Sequence, residues 1–209
     1  MQQRNTLTFS VANLNTYGAP FPSQEVMERY VAICQGMEQT SAHILTMQEV
    51  WSYRLLSTLK TTLTSYPYVA YAPGILEPKA GLVTFSRSPL AAGSVRYIDI
   101  PPVAEPRKRK WINRVKRSLK KKGVPLATLA DMPLTVCNVH LIANGDGDWS
   151  EQGRYYCAHT HDITLLATTI THLQEKGNSI VISGDFNVPK WSGPYHVFLA
   201  LQCDGPLRT

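Results

Sequence analysis

Four apolar stretches of this chain stop where polar side chains take over. Asn13 and Asn15 follow "LTFSVA", and Gln48-Glu49 follow "HILTM". Asn138 and His140 alternate with apolar residues in "VCNVHL", and Asp185 and Asn187 follow "SIVIS". In extended backbone, residues i and i+2 project to one side. Asp185 therefore shares a face with Asn187, Asn13 with Asn15, and Asn138 with His140. Strand ends of this kind, brought together, make a pocket of two carboxylates, several amides and one imidazole.

Such an inventory suits cleavage of a phosphodiester. A hard cation such as Mg²⁺ needs only one or two carboxylates, keeps water ligands and accepts a phosphate oxygen. Glu49 and Asp185 would meet that need. Asn amides donate to phosphoryl oxygens or orient water without adding negative charge. His140 would donate to the phosphate or protonate the leaving oxygen. Each signal alone also fits a plain alternative. Asp-x-Asn after a strand makes an Asx turn, a Glu there opens a helix, and a strand-end His finds a hydrogen-bond partner. Their chemical complementarity is what favours the pocket.

The elements that position these residues are legible from period and punctuation. A first strand covers 7–14, followed by the breakers Gly18, Pro20 and Pro22. Ser23 caps a helix with Val26, Tyr30, Ile33 and Met37 inward. A strand at 43–47 precedes a helix over 51–63 with Leu55, Leu56, Leu59 and Leu63 inward. Strands follow at 68–72, 81–86 and 95–100, then at 124–130 and 134–142 around the Asp131–Pro133 turn. A helix over 154–175 carries Ile163, Leu166, Ile170 and Leu173. "SIVISG" reads as a central strand buried on both sides, and 193–202 as a last helix. Many strands adjoin one another without an intervening helix. That favours two stacked mixed sheets with helices outside over a Rossmann-like layout.

Composition sets the class. The chain has 209 residues, 44% of them hydrophobic, enough for one domain with a sizeable core. No apolar run is long enough to span a membrane, and the N-terminus has no signal-peptide core. Four scattered cysteines without a CxxC pair argue against a disulfide framework. A cytoplasmic monomer is expected, with peripheral membrane association open to it. Cys157 and His161 stand four apart on a helix, but no second pair of Zn²⁺ ligands lies near. "NGDGDW" (144–149) lacks the calcium-loop spacing and reads as a turn-rich loop.

The net charge of +6 is unevenly spread. Residues 107–122, "RKRKWINRVKRSLKKK", hold 10 of the 21 Lys and Arg and no acid, leaving 11 basic against 15 acidic residues elsewhere. Trp111, Val115 and Leu119 form one stripe at helical spacing. This basic amphipathic insertion, with Lys120, Lys121 and Lys122, suits an anionic membrane surface or nucleic-acid phosphates. A solvated helix packed through its stripe fits equally.

"MQEVW" (47–51), "NVHLIAN" (138–144) and "SGDFNVP" (183–189), in that order, resemble the endonuclease/exonuclease/phosphatase superfamily. "VANLNTYGAP" (11–20) and "GLVTFSRSPL" (81–90) resemble further strands of that family. "KKKGVPLATL" (120–129) is similar to its sphingomyelinase-like members. The resemblance implies a four-layer α/β/β/α sandwich and Mg²⁺-dependent phosphodiester hydrolysis, with Mn²⁺ fitting the same donors. It implies Glu49 and Asn15 at the metal, Asp185 orienting the nucleophilic water, Asn187 at the phosphate, and His140 at the phosphate or leaving group. Phospholipid and nucleic acid are both implied as substrates, in a sphingomyelinase-like or deoxyribonuclease-like member.

One departure stands out. The family closes with a strand ending in Asp-His, whose His is the general base, and no such motif follows "GDFN" here. His196 falls too early, in a helix. The expectation is a single domain over 1–209 that is incomplete at its C-terminus, with the second sheet short of its last strands. Losing the base costs about 10²–10⁴-fold in rate. The alternative is a catalytically inactive member that binds phosphate-rich ligands.

Overall fold

Alternation along the strands decides which side of each sheet meets helices and which meets the other sheet. The computed structural model describes residues 9–100, 123–177 and 179–202. The insertion at 107–122, with Lys120, Lys121 and Lys122, lies outside the described residues. Sheet one contains β1 (Val11–Asn15), β2 (Ile44–Gln48), β3 (Tyr68–Ala70) and β4 (Val83–Ser86), in the order β1-β2-β4-β3. Sheet two contains β5 (Arg96–Asp99), β6 (Gly123–Thr128), β7 (Leu134–His140) and β8 (Ser179–Asp185), in that order. Each sheet is mixed: β1 pairs parallel with β2 and β7 with β8, and the other pairs are antiparallel.

Odd and even positions go to different layers. Leu45 and Met47 of β2, with Val83 and Phe85 of β4, pack under α1 (Gln24–Thr40) and α2 (Tyr53–Thr62). Cys137 and Val139 of β7, with Ile180 and Ile182 of β8, pack under α3 (Tyr156–Glu175) through Leu166 and Ile170. The opposite faces meet each other: Val11, Ile44, Leu134, Val136 and Val181 form the apolar part between the sheets. The result is the expected layering of helices, sheet, sheet and helices. Each fully buried Leu on α2 (Leu55, Leu59) contributes about 1.5–3 kcal/mol.

The helices begin where the caps demand. Ser23 Oγ accepts from the Val26 amide and Ser52 Oγ from the Leu55 amide. α4 (Gly193–Gln202) places Phe198 against Phe186, ring centroids 5.7 Å apart. No described helix is long and apolar enough to cross a membrane.

One expectation needs correcting. β8 does not lie in the middle of its sheet; among the described residues it has a strand neighbour, β7, on one side only, and it is half-buried. Its apolar composition reflects cover on both faces, by α3 and by sheet one, which the sequence cannot distinguish from cover along both edges.

Toward the strands' C-terminal ends the inter-sheet faces become polar. Gln48, fully buried, donates both hydrogens of Nε2, to Asn13 Oδ1 at 2.8 Å and to Asn138 Oδ1 at 2.8 Å. Asn138, also fully buried, donates from Nδ2 to the carbonyls of Met47 (3.1 Å) and Val83 (3.0 Å). Thr46 donates to Asn13 Oδ1, so at the 2.7 Å contact with Ser183 the Ser183 hydroxyl is the donor. Gln48→Ala strips amide donors from Asn13 and Asn138. It is expected to lower the unfolding free energy by about 2–3 kcal/mol, and a urea titration that finds wild-type stability would show that the sheets hold without this bridge.

Candidate active site

The polar strand ends converge. Asn15, the last residue of β1, donates from Nδ2 to Glu49 Oε1 at 3.1 Å and to Asp185 Oδ2 at 3.0 Å. His140, the last residue of β7, lies across from the same two oxygens, its Nε2 3.8 Å from Glu49 Oε1 and 3.9 Å from Asp185 Oδ2. That is beyond hydrogen-bond reach and within ion-pair range. The four side chains are partly buried, so their charges act with less screening than surface pairs. Two carboxylate oxygens crowd one neutral amide and one imidazole, an arrangement that favours positive charge between them.

Asn187 sits beside this group. Its backbone N–H donates to Asp185 Oδ1 at 2.9 Å, an Asx-type turn that fixes the carboxylate. Its Nδ2 donates to the Leu141 carbonyl at 3.0 Å, tying the exit of β8 to the exit of β7. Gly184 (φ +154) makes this possible, because a Cβ there would collide with the Val139 backbone. Asn13, Gln48 and Asn138 do not belong to the cleft. They form the inter-sheet network one step deeper, so the pocket holds fewer amides than expected.

Glu49 reaches the site against the strand's alternation. Gln48 faces the other sheet, so Glu49 in regular strand would face the helices. Its backbone turns left-handed instead, at φ +61, a conformation costing about 1–3 kcal/mol in a residue with a side chain. The surroundings hold it there. Trp51 N–H donates to the Glu49 carbonyl at 3.0 Å and Val50 N–H to the Gly81 carbonyl at 2.9 Å. Thr16 Oγ1 gives its hydrogen to the Gln48 carbonyl (2.8 Å), so Tyr30 is the donor in their 2.5 Å contact. The same Tyr30 hydrogen is shared with the Glu49 carbonyl, to which the hydroxyl donates at 3.3 Å. Gly18 presses on this carbonyl, where a Cβ would clash with it and with the Tyr30 hydroxyl.

Tyr30, Thr16 and Gly18 thus support the site, and the sequence reading gave Tyr30 only a core role and Gly18 only that of a breaker. A Tyr on an otherwise apolar helix face was the available signal, since a buried phenol needs a hydrogen-bond partner. Burial pushes the Tyr30 hydroxyl up to about 12.

The donor set suits a hard cation. Oxygen donors dominate, and among the described residues no three or more His, Cys, Asp and Glu gather as a ligand set. One or two carboxylates with room for water match Mg²⁺ better than a caged ion. The 144–149 loop spends its oxygens on itself. Asn144 Oδ1 accepts from the Asp146 and Gly147 amides, Asp146 Oδ1 from the Asp148 amide, and Asp148 Oδ1 from the Ser150 amide. The Ser150 N–H holds the Asp148 carboxyl below the usual range. Cys157 is exposed on α3, whereas Cys34 and Cys137 are buried free thiols.

The model of the Endonuclease/Exonuclease/phosphatase family matches residues 12–208. No curated protein matches the chain in sequence. Sphingomyelinase C from Streptomyces griseocarneus superposes with a TM-score of 0.67 at 16% identity, over 94% of this chain and 70% of that one. TDP2 from Caenorhabditis elegans gives 0.63 at 13% identity, over 87% of this chain and 48% of that one. An endonuclease/exonuclease/phosphatase family protein from Bacteroides thetaiotaomicron gives 0.62 at 15%, over 92% and 66%. At these identities the likeness is one of fold.

The Tyr30 network has a pH signature. The phenol's folded pKa is raised, so its stabilisation is complete below about pH 10 and disappears as pH climbs toward 12. Tyr30→Phe is expected to lower stability by about 1–2 kcal/mol at neutral pH. It should also flatten that alkaline loss, read by urea unfolding at a series of pH values. A variant that keeps the wild-type alkaline slope would rule the phenol out as its source.

Proposed function

Because this chain belongs to the endonuclease/exonuclease/phosphatase family, we propose that it is a Mg²⁺-dependent phosphodiester hydrolase. The observation that carries the reading is the meeting of Asn15, Glu49, His140 and Asp185 from four strand ends, with two carboxylate oxygens on one amide nitrogen. Glu49, with Asn15 beside it, would hold the cation, which when bound stabilises charge developing on phosphoryl oxygens. Asp185 orients a water for in-line attack, its second oxygen already held by the Asn187 amide. His140 donates from Nε2 to a phosphate oxygen or to the leaving oxygen. Asn187 stands at the phosphate's edge and keeps the two exit loops together. None of these residues is assigned as general base.

Phospholipid and nucleic acid are the two substrate classes this reading admits. One structural relative is a sphingomyelinase by name, which supports the first. The insertion at 107–122 is proposed to bring the cleft to an anionic surface. The strands that flank it support this: β5 runs with β7 and β6 against it, so Asp99 and Gly123 lie at the same end of the sheet as His140.

Hydrolysis of a soluble phosphodiester by wild type and by Glu49→Ala tests the chemistry. The variant is expected to lose at least about 10²-fold in rate. Chelation should silence the wild type and Mg²⁺ restore it. Equal background rates in both proteins would favour an inactive member that only binds phosphate-rich ligands.

Replacing Lys120, Lys121 and Lys122 with Ala should weaken binding to anionic liposomes or DNA at low salt. The effect should fade as salt rises. Unchanged low-salt binding would remove the insertion from substrate recruitment.

A further inference from the structure

The most exposed large apolar side chains are not scattered. Among the described residues they are Ile75 (94% exposed), Phe21 (93%), Leu76 (78%), Tyr17 (76%) and Trp191 (70%); the next, Leu201, is at 43%. All five lie on loops that leave the site end of the sheets. β1, β2 and β3 run in one direction, as do β7 and β8, and their C-terminal ends meet at Glu49, His140 and Asp185. Tyr17 and Phe21 follow β1, Ile75 and Leu76 follow β3, and Trp191 follows β8.

These side chains are held outward by the fold. Tyr53 donates from its hydroxyl to the Gly74 carbonyl at 2.7 Å and accepts from the Gly74 N–H at 3.1 Å, clamping the loop that carries Ile75 and Leu76. Arg29 donates to the Tyr17 carbonyl and lies over the Tyr17 ring at 5.8 Å. Trp191 meets Trp149 edge-on, with centroids 6.4 Å apart.

We infer that these three loops form an apolar rim that seats on a phospholipid surface and brings lipid phosphodiesters to the Glu49–Asp185 cleft. The inference rests on the hydrolase reading for the substrate it delivers. Separate knobs on three loops suit a soft interface better than a shaped partner, and amphipathic surfaces bind membranes by burying such side chains. Stacking on unpaired bases would use aromatic rings, and Ile75 and Leu76, the first and third most exposed, have none. Charge at this end is mixed in sign. The described loops at this end carry Glu49, Glu77, Asp146, Asp148 and Glu151 beside Lys79, Arg154 and Lys190. The strands flanking the basic insertion end here too, and apolar side chains beside Lys and Arg are the combination that seats on a headgroup layer.

The test uses the full chain with Ile75→Ser and Leu76→Ser combined, and separately with Phe21→Ser. Co-sedimentation with phosphatidylcholine vesicles is read beside hydrolysis of a soluble phosphodiester. The combined variant should bind vesicles at least about tenfold more weakly, given the apolar area removed, and Phe21→Ser less strongly so. Both should hydrolyse the soluble diester at the wild-type rate. Wild-type sedimentation in the variants would overturn the inference. So would variants that lose single-stranded DNA binding while keeping vesicle binding, or a wild-type dimer that the substitutions split without any vesicle binding. Vesicle binding is measured without turnover, so a wild type inert toward the soluble diester would sink the hydrolase reading and leave the rim tested on its own.

Discussion

Two sheets can stack in many relative positions if only apolar faces meet, because apolar contact has little direction. Here the Gln48 amide supplies the direction. Its two hydrogens link Asn13, on its own sheet, to Asn138, on the other, and Asn138 reaches back to two carbonyls of β2 and β4. Buried amides left unsatisfied are costly, so a slip of either sheet by a single residue would break several bonds at once. Everything at the site depends on that fixed stagger, since Asn15, Glu49 and His140 each lie one or two residues beyond the bridge.

The inter-sheet faces form a graded column. Apolar side chains from Val11, Ile44, Leu134, Val136 and Val181 fill one end. Neutral polar groups from Asn13, Thr46, Gln48, Asn138 and Ser183 occupy the middle. Asn15, Glu49, His140 and Asp185 emerge at the other end, where water and a substrate can enter. The gradient lets ionisable groups be held rigidly without full burial. The apolar layer supplies stability, the amide layer supplies register, and the carboxylates lie at the opening with partial exposure.

Much of this was readable from residue types. Period-two spacing already placed Asn138 with His140 on one face, and the Ser23 cap and the Leu55–Leu63 stripe defined helices that the structure contains. The separation of Gln48 and Asn138 from the cleft was not readable. Both look like site amides in sequence, and only the distance between the two sheets makes them structural. Glu49 is the clearest case: alternation directs it toward α1 and α2, and its left-handed backbone, braced by Trp51 and Tyr30, turns it to the cleft. The edge position of β8 was hidden for a related reason, because cover on two faces and cover on two edges leave the same apolar composition.

The sequence by itself determined the elements, the faces of the strands and the chemical inventory at their ends, because these follow from local periodicity and the side chains' own donors and acceptors. Tertiary structure alone decided which of those groups meet, which amides are consumed in joining the sheets, and that Tyr17, Phe21, Ile75, Leu76 and Trp191 share one end of the molecule. The physical reason is that convergence depends on strand direction and sheet stagger. Both are set by contacts between residues far apart in the chain, such as the 170 positions separating Asn15 from Asp185, and no local pattern records them.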